Sequence, residues 1–231
     1  MHMYKRPALV TSLVAAGFLV SVAAMAGAPS AVELLFERKH LAALEGGSEI
    51  AYRFERATSD PKMLGEPFSD TIRLTITAVA PTGTREVALN VFTGDRARSV
   101  QNVPDLTGNP MLVLFLDRSV ANMSQLAGGA RPYLKDRMRA GLRDKALLEP
   151  ITITYAGKAL DAFRITVTPF IGDPNAANML GYDGAKLTLV VSEAVPGHFV
   201  ELTSLTVNRF VLFERTVRHF TERVTMPQCN A

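Results

Sequence analysis

Residues 71–92 read TIRLTITAVAPTGTREVALNVF, a stretch that holds two runs of alternating apolar and polar side chains. Such alternation is typical of a β-strand with one face against a core, because successive side chains point to opposite faces. Between the runs, Pro81 has a fixed φ and Gly83 tolerates a positive φ, as a tight chain reversal requires. The stretch therefore predicts a β-hairpin and makes antiparallel structure the basis of the fold.

The same alternation recurs along the chain and predicts further strands. Their apolar positions are Ile50, Tyr52 and Phe54; Ile151, Ile153 and Tyr155; Phe163, Ile165 and Val167; and Leu187, Leu189 and Val191. Two more strands are predicted over residues 199–207 and from about 210 to 224. With the hairpin this makes about eight strands, mostly joined by short turns, which indicates an antiparallel sheet.

A first helix is predicted near the N-terminus. Ser30 and Glu33 have the S-x-x-E spacing of a capping box, in which each side chain accepts from the other residue's amide. Gly46 and Gly47 are expected to end this helix. Its apolar residues point in several directions, which favours a helix covered on more than one side.

A helical hairpin is predicted over residues 110–145. Asn109 followed by Pro110 is typical of a helix N-terminus, and the Gly128-Gly129 pair separates the two helices. Residues 111–116 alone are equally compatible with a buried strand, but the apolar stripe continues beyond them and favours a helix. The stripes are Leu112, Phe115, Leu116, Val120, Met123 and Leu126 in the first helix, and Leu134, Met138 and Leu142 in the second.

These elements predict an α+β fold that is mainly antiparallel β. A sheet of about eight twisted strands has to cover its apolar face or curl on itself. We expect one curved, half-barrel-like sheet with an N-terminal helix and the central helical hairpin as its cover. In architecture alone this outline resembles periplasmic carriers of lipoprotein or lipid, whose half-barrels hold acyl chains under a helical lid. No motif of such carriers is matched residue by residue, and a fold does not fix a function.

The first 26 residues have the pattern of an export signal. Lys5 and Arg6 precede an uncharged apolar stretch over residues 7–24, and an A-x-A sequence ends at Ala26. We expect a signal peptide over residues 1–26, cleavage after Ala26, one β-rich domain over residues 27–231, and a periplasmic or secreted location. The alternative is an uncleaved N-terminal membrane anchor, because the apolar stretch approaches the length that crosses a bilayer.

Charge and cysteine content narrow the classes of partner. The full chain has 25 basic and 22 acidic residues, and cleavage would remove two basic residues and no acidic one. Such balance argues against nucleic acid as a partner, since nucleic-acid binding normally requires a basic excess. Cys229 is the only cysteine, so no disulfide forms within the chain.

No local motif predicts a catalytic, metal or cofactor site. The predicted mature chain has three histidines, His40, His198 and His219, and none is near another in sequence as zinc-binding motifs require. Phosphate-binding loops, dinucleotide fingerprints and the G-x-S-x-G serine motif are absent from the sequence. We predict no cofactor, no metal ligand and no catalytic residue, which favours a non-catalytic role without deciding it.

One pattern does stand out, a set of cations on one side of the second hairpin helix. Their spacing of four residues places them in a row beside an apolar strip. We call this row the basic ladder; it consists of Arg131, Lys135, Arg139 and Arg143. Such a face fits anionic lipid headgroups, a polyanionic envelope polymer or an acidic partner. Asp136 and Asp144 dilute its charge, which is typical of an ordinary solvated face.

Three hypotheses about function follow. The first is an exported envelope protein that binds an apolar or amphipathic ligand, such as lipid, or another envelope component, in the curve of its sheet. The second is an exported hydrolase whose site leaves no local motif, and its mark is a histidine within hydrogen-bond reach of a serine or carboxylate in a pocket. The third is a structural module that docks on a partner or a membrane surface through the basic ladder.

Overall fold

The computed structural model describes residues 28–208, 219–227 and 229–230. Antiparallel strands form one curved, open sheet with the order β10-β5-β6-β7-β8-β9-β1-β2-β3-β4. The strands are β1 (Glu49–Thr58), β2 (Phe68–Val79), β3 (Arg85–Val91), β4 (Gln101–Leu106), β5 (Leu147–Tyr155), β6 (Lys158–Val167), β7 (Lys186–Val191), β8 (Phe199–Val207), β9 (His219–Thr225) and β10 (Cys229–Asn230). The predicted α+β class with a half-barrel-like sheet is confirmed.

The hairpin predicted over residues 71–92 consists of β2 and β3. Ile72 faces Val91 and Leu74 faces Leu89 across the ladder, and all four side chains are buried. In the turn, the Ala80 amide donates to the Thr84 carbonyl at 2.9 Å, and Gly83 has φ 85°. The alternating residues thus face the core as the sequence predicts.

Two strands were not predicted, and they form the two edges of the sheet. β4 has mostly exposed side chains, Pro104 in its middle and Asp105 at φ 56°, so it shows no apolar alternation. These features also discourage another chain from pairing with this edge. β10 has only two residues. The last predicted strand corresponds to β9 in its second half, and residues 209–218 are outside the described part of the chain.

The helical hairpin packs over the sheet. It consists of α2 (Met111–Ala127), which packs against β8, and α3 (Arg131–Asp144); a single short turn, α1 (Pro61–Leu64), precedes them. Gly128 ends α2 in the left-handed conformation at φ 71°. The predicted stripes are buried except for Leu116, which is partly buried. The hairpin over residues 110–145 is therefore present as predicted.

The N-terminal helix is much shorter than predicted. A five-residue π-helical turn, Glu33–Glu37, ends at Arg38, where the backbone becomes extended. The Ser30 hydroxyl accepts from the Glu33 amide at 3.1 Å, but the Glu33 carboxylate lies 2.8 Å from the Arg38 guanidinium. Half of the capping box therefore forms. The helix does not reach Gly46, because Arg38 turns the chain so that His40 and Leu41 enter the core.

Arg85 fixes the segment that follows this turn. Its side chain is buried and donates to the carbonyls of Leu44 at 2.9 Å, Ala42 at 2.7 Å and Gly83. A cation with three carbonyl acceptors holds this loop against β3 in the way that a basic side chain caps a helix C-terminus. The N-terminal segment is thus positioned beside the β3–β4 edge.

The export prediction lies outside the described residues, because residues 1–27 are not among them. In the described part of the chain, every helix is too short or too polar to cross a bilayer.

Candidate ligand-binding groove

A groove of about 710 Å³ separates α2 from the β3–β4 edge of the sheet. Its volume is within the range of small-molecule sites in proteins. Residues from the N-terminal segment close one end. The groove is lined by Leu35, Phe36, His40, Leu89, Val91, Arg98, Gln101, Val103, Leu106, Gly108, Asn109, Pro110, Leu112, Val113, Leu114, Asp117, Arg118, Ala121 and Arg131.

The groove exists because α2 has two different sides. One stripe of the helix is buried and includes Phe115 and Met123. A second stripe faces the groove at helical spacing and consists of Pro110, Val113, Leu114, Asp117, Arg118 and Ala121. Since most of the second stripe does not pack into the core, a channel remains between α2 and the neighbouring edge strands.

The strand register gives the groove a direction. Gln101 at the start of β4 pairs with Leu89, and Leu106 at its end pairs with Arg85. Residues 107–110 connect the end of β4 to the start of α2, so α2 runs back along β4 in the opposite direction. At the far end, the Arg118 guanidinium carbon lies 5.2 Å from the ring centroid of Phe92, which directly follows β3. Different residues therefore gather at the two ends.

One end, which we call the cationic end, contains Arg98, Arg118 and Arg131. The Arg98 amide donates to the Val91 carbonyl at 3.0 Å, which places this residue beside the end of β3. Arg131 is the first residue of α3, next to the last turns of α2. Gln101 and Ala121 complete this end of the groove.

A buried carboxylate holds Arg118 in place. Glu222 of β9 has 2% of its side chain exposed and accepts bonds from two arginines. Arg118 donates through Nε at 3.2 Å and Nη2 at 2.6 Å, and Arg56 of β1 donates through Nε at 3.1 Å and Nη2 at 2.6 Å. Two cations share one carboxylate, so the three side chains carry a net positive charge.

Aromatic rings surround this cluster. The Arg118 guanidinium carbon lies 4.7 Å from the ring centroid of Phe54, and that of Arg56 lies 5.4 Å from the centroids of both Phe68 and Phe220. Such stacking stabilises a guanidinium group and restrains its orientation. Arg118 lines the groove, and its Nη1 makes no hydrogen bond with the described residues.

Charge at the cationic end is only partly neutralised. Arg98 and Arg131 are exposed and form no ion pair with the described residues. The one carboxylate that lines the groove, Asp117, lies 2.9 Å from the ammonium group of Lys135. The positive charge of the three arginines therefore exceeds the negative charge available to them.

The opposite end is apolar. Leu35, Leu106 and Pro110 line it, together with Phe36 and Val113, which are exposed. Large exposed side chains of this kind beside a groove mark a surface suited to apolar contacts. The groove thus changes from cationic to apolar along its length.

His40 and Asn109 form the floor at this end. The Nε2–H group of His40 donates to the Leu34 carbonyl at 2.8 Å, and the Asn109 amide donates to Nδ1 at 3.2 Å, which fixes a neutral ring. The Asn109 side chain donates to the Tyr52 hydroxyl and the Gly197 carbonyl, both at 2.9 Å. Its Oδ1 accepts from the Met111 amide at 3.0 Å, so Asn109 caps α2 as predicted.

A second histidine lies against the first. The His40 and His198 ring centroids are 5.1 Å apart. Burial lowers the pKa of His40, and the hydrogen bond to Leu34 and the charge of Glu193 oppose this only in part. Burial and then the charge of His40 lower the pKa of His198. Neither ring makes a hydrogen bond with a serine or carboxylate of the described residues, and His219 is exposed on β9.

The described residues contain no group of three histidine, cysteine or acidic side chains placed to hold a metal ion.

The basic ladder is divided in the structure. Lys135 pairs with Asp117, Arg139 lies 3.4 Å from Asp136, and Arg143 lies 2.8 Å from Asp144. Arg131 alone among the four has no carboxylate partner in the described part of the chain, and it belongs to the cationic end of the groove. Carboxylates therefore neutralise three of the four cations of the basic ladder.

Sequence reasoning missed Arg98, Arg118 and Glu222. A signal existed for Glu222, because it alternates with Phe220 and Val224 and so shares the inward face of its strand. An inward-facing carboxylate requires a cationic partner. The identity of that partner was not readable, since Arg118 is 104 residues away in the sequence.

Comparisons with known proteins give little beyond this geometry. A scan against protein-family models and a search of curated proteins find no match. Two crystal structures of MucB are similar to the chain. For MucB in complex with MucA(peri), the identity is 16%, the TM-score 0.32, and the match covers 79% of this chain and 49% of that one. For MucB alone, the identity is 15%, the TM-score 0.33, and the match covers 83% of this chain and 56% of that one. The chain spans about half the length of the MucB chains, and at these values the likeness decides nothing about a ligand or partner.

Proposed function

We propose that this protein is an exported, non-catalytic binding protein that holds an elongated amphipathic molecule in the groove. The observation that carries this proposal is the change from a cationic end to an apolar end along one channel. A ligand with a polar head and an apolar tail matches both ends at once. The signal-like residues 1–26 support export, with cleavage after Ala26.

The length of the groove suggests the size of the tail. Residues 110–121 of the α2 side span about 17 Å at about 1.5 Å per residue. An extended hydrocarbon advances about 1.3 Å per bond, because its ~1.5 Å bonds zigzag, so roughly a dozen methylene groups fit. Burying them provides on the order of 10 kcal/mol before the entropy of binding is subtracted. Micromolar or tighter binding of an acyl chain is therefore physically reasonable.

Displacement of an uncharged apolar dye tests the tail-binding part of this proposal. We expect N-phenylnaphthylamine to become fluorescent with the protein, and tetradecyl amphiphiles to displace it. Val103→Trp fills the groove, whereas Val79→Trp adds the same ring on the exposed end of β2. Loss of dye binding in the first variant alone supports the groove. No dye binding and no bound amphiphile in native mass spectrometry would overturn it.

A second function, docking on an anionic membrane surface, is favoured by one further observation. Exposed Phe36 and Val113 adjoin Lys135 and Arg139 at a small, mostly apolar pocket between α2 and α3. This combination suits a headgroup interface, where apolar side chains insert and cations meet phosphates. The ion pairs of Lys135, Arg139 and Arg143 are exposed, and such pairs are readily exchanged.

Vesicle sedimentation tests the docking function. We expect the protein to pellet with phosphatidylglycerol vesicles and much less with phosphatidylcholine vesicles. Arg139→Glu with Arg143→Glu should abolish pelleting, whereas Arg53→Glu with Arg73→Glu reverses two arginines in similarly exposed ion pairs on the sheet and should not. Equal pelleting of the two double variants rejects membrane docking. Membrane docking is also rejected if the Arg139 and Arg143 substitutions abolish binding to an acidic protein but not to vesicles.

A further inference from the structure

We infer that the cationic end selects an oxyanion head group, with a phosphate preferred over a carboxylate. This inference rests on the proposed groove ligand and names the chemistry of its head. It starts from the three arginines that line one end of a single channel: Arg98, Arg118 and Arg131.

The charges at this end favour more than one negative charge on the ligand. Glu222 neutralises one of the two arginines that it holds, so Arg56, Arg118 and Glu222 together keep one positive charge. Arg98 and Arg131 add one each, because neither forms an ion pair with a described residue. Asp117, the acidic side chain in the lining, is engaged by Lys135. A phosphate monoester carries nearly two negative charges at neutral pH and a carboxylate carries one.

Glu222 acts as a positioning residue for Arg118. The carboxylate binds one edge of the guanidinium group, the ring centroids of Phe54 and Phe92 lie 4.7 Å and 5.2 Å from its carbon, and Nη1 makes no hydrogen bond with the described residues. A planar, prepositioned guanidinium binds an oxyanion with little loss of side-chain freedom. Arg98 and Arg131 are exposed and complete the site from the loop after β3 and from the start of α3.

Competition against the apolar dye distinguishes head groups on the same tail. We expect tetradecyl phosphate to displace it at lower concentration than tetradecanoate, and tetradecanoate at lower concentration than tetradecanol. Charge-assisted hydrogen bonds make a difference of at least about tenfold reasonable between the first and the last. Rising salt should reduce this preference while leaving the affinity for tetradecanol nearly constant.

Two exposed arginines provide the variants, because their loss leaves the buried cluster intact. Arg98→Gln with Arg131→Gln should remove most of the preference for phosphate, because it lowers the affinity for tetradecyl phosphate much more than the affinity for tetradecanol. Arg53→Gln with Arg73→Gln is the matched control and should retain the preference. Equal displacement by all three compounds in the wild-type protein, or a full preference in the first double variant, overturns the inference.

Inorganic phosphate separates this inference from the proposed function. If it binds in isothermal titration calorimetry as tightly as tetradecyl phosphate, and the Arg98 and Arg131 substitutions abolish that binding, the oxyanion site is supported and the tail is not. If the tailed compounds bind equally well whatever their head group, the groove is supported and the oxyanion site is rejected.

Discussion

Two buried carboxylates attach the helical hairpin to the rest of the protein, and they differ in their arginine partners: Arg118, held by Glu222, lines the groove, whereas Arg137, held by Asp173, does not. Asp173 has none of its side chain exposed and binds α3, and Glu222 has 2% exposed and binds α2. Asp173 accepts from Tyr133 at 2.5 Å, Arg137 at 2.6 Å and the Asn175 amide at 2.8 Å. One cation balances it, whereas two cations surround Glu222.

The difference between these sites separates a structural ion pair from a candidate binding site. At Asp173 one arginine balances the carboxylate. At Glu222 one positive charge is left over, and the unused donor of Arg118 belongs to a groove residue. A buried charge without full compensation is unfavourable for folding, so the positive charge left beside the groove supports the proposed role in binding.

The largest expected effect is the loss of the Glu222 charge. Glu222→Gln leaves Arg56 and Arg118, which are 20% and 15% exposed, without a counter-charge and should lower the free energy of unfolding by about 3–5 kcal/mol. Asp173→Asn keeps two of its hydrogen bonds and affects one arginine that is 31% exposed, so about 1–3 kcal/mol is expected. Urea unfolding compares the two variants, and equal losses would remove the distinction between the sites.

A smaller effect concerns packing on the two sides of the hairpin. A Cβ atom on Gly141 would lie 2.8 Å from Pro169 Cβ and 2.9 Å from Pro169 Cα, so the helix backbone meets the chain after β6 closely. Gly141→Ala should lower stability by about 1–3 kcal/mol, less the ~1 kcal/mol that alanine gains in a helix. Ala121→Leu extends into the groove and should leave stability nearly unchanged while weakening dye binding. A destabilising Ala121→Leu would show that the groove side is packed too.

The pH dependence of stability sharpens the comparison further. Burial raises the pKa of Asp173, but bonds from Tyr133, the Asn175 amide and Arg137 outweigh it and leave the pKa below its ordinary value. Its stabilising contribution is therefore complete above about pH 4 and is lost as the pH falls further. The folded-state pKa values of His40 and His198 are also lowered, from 6.5, so the unfolded chain binds more protons below that pH and stability falls with decreasing pH.

Denaturant midpoints measured between pH 7.5 and pH 3 should thus show two declines. The first begins near pH 6.5 and should be smaller in a variant with His40→Asn and His198→Asn. The second begins near pH 4 and should be smaller in Asp173→Asn. Loss of the first decline in the Asp173 variant would contradict this assignment.

The smallest effect is expected on the basic ladder. Lys135→Gln removes an exposed pair with Asp117, and exposed pairs contribute little, so the free energy of unfolding should change by less than about 0.5 kcal/mol. The measurement is again urea unfolding, at low and high salt. A large loss of stability would show that this exposed ion pair contributes as much as the buried ion pairs do.

Several parts of the fold were readable from short stretches of sequence. Residues 71–92 alone predict the hairpin, and the stripes on either side of Gly128 predict α2 and α3. The N-terminal helix was overestimated because the capping box predicts where a helix begins and cannot predict that Arg38 pairs with Glu33 and Glu193 and ends it. β4 was missed because an exposed edge strand has no face that requires apolar side chains.

By itself the sequence determined the alternation of the strands, the apolar stripes of the helices and the direction of the turns, because each depends on side chains within a few positions of one another. Only the tertiary structure decided that Arg56 and Arg118 bind Glu222. It also decided that Arg131, unlike the rest of the basic ladder, lines the groove without a carboxylate partner among the described residues, and that the groove has a cationic and an apolar end. These features depend on strand register and on residues more than 100 positions apart, and local periodicity carries no information about which distant side chain will supply the opposite charge.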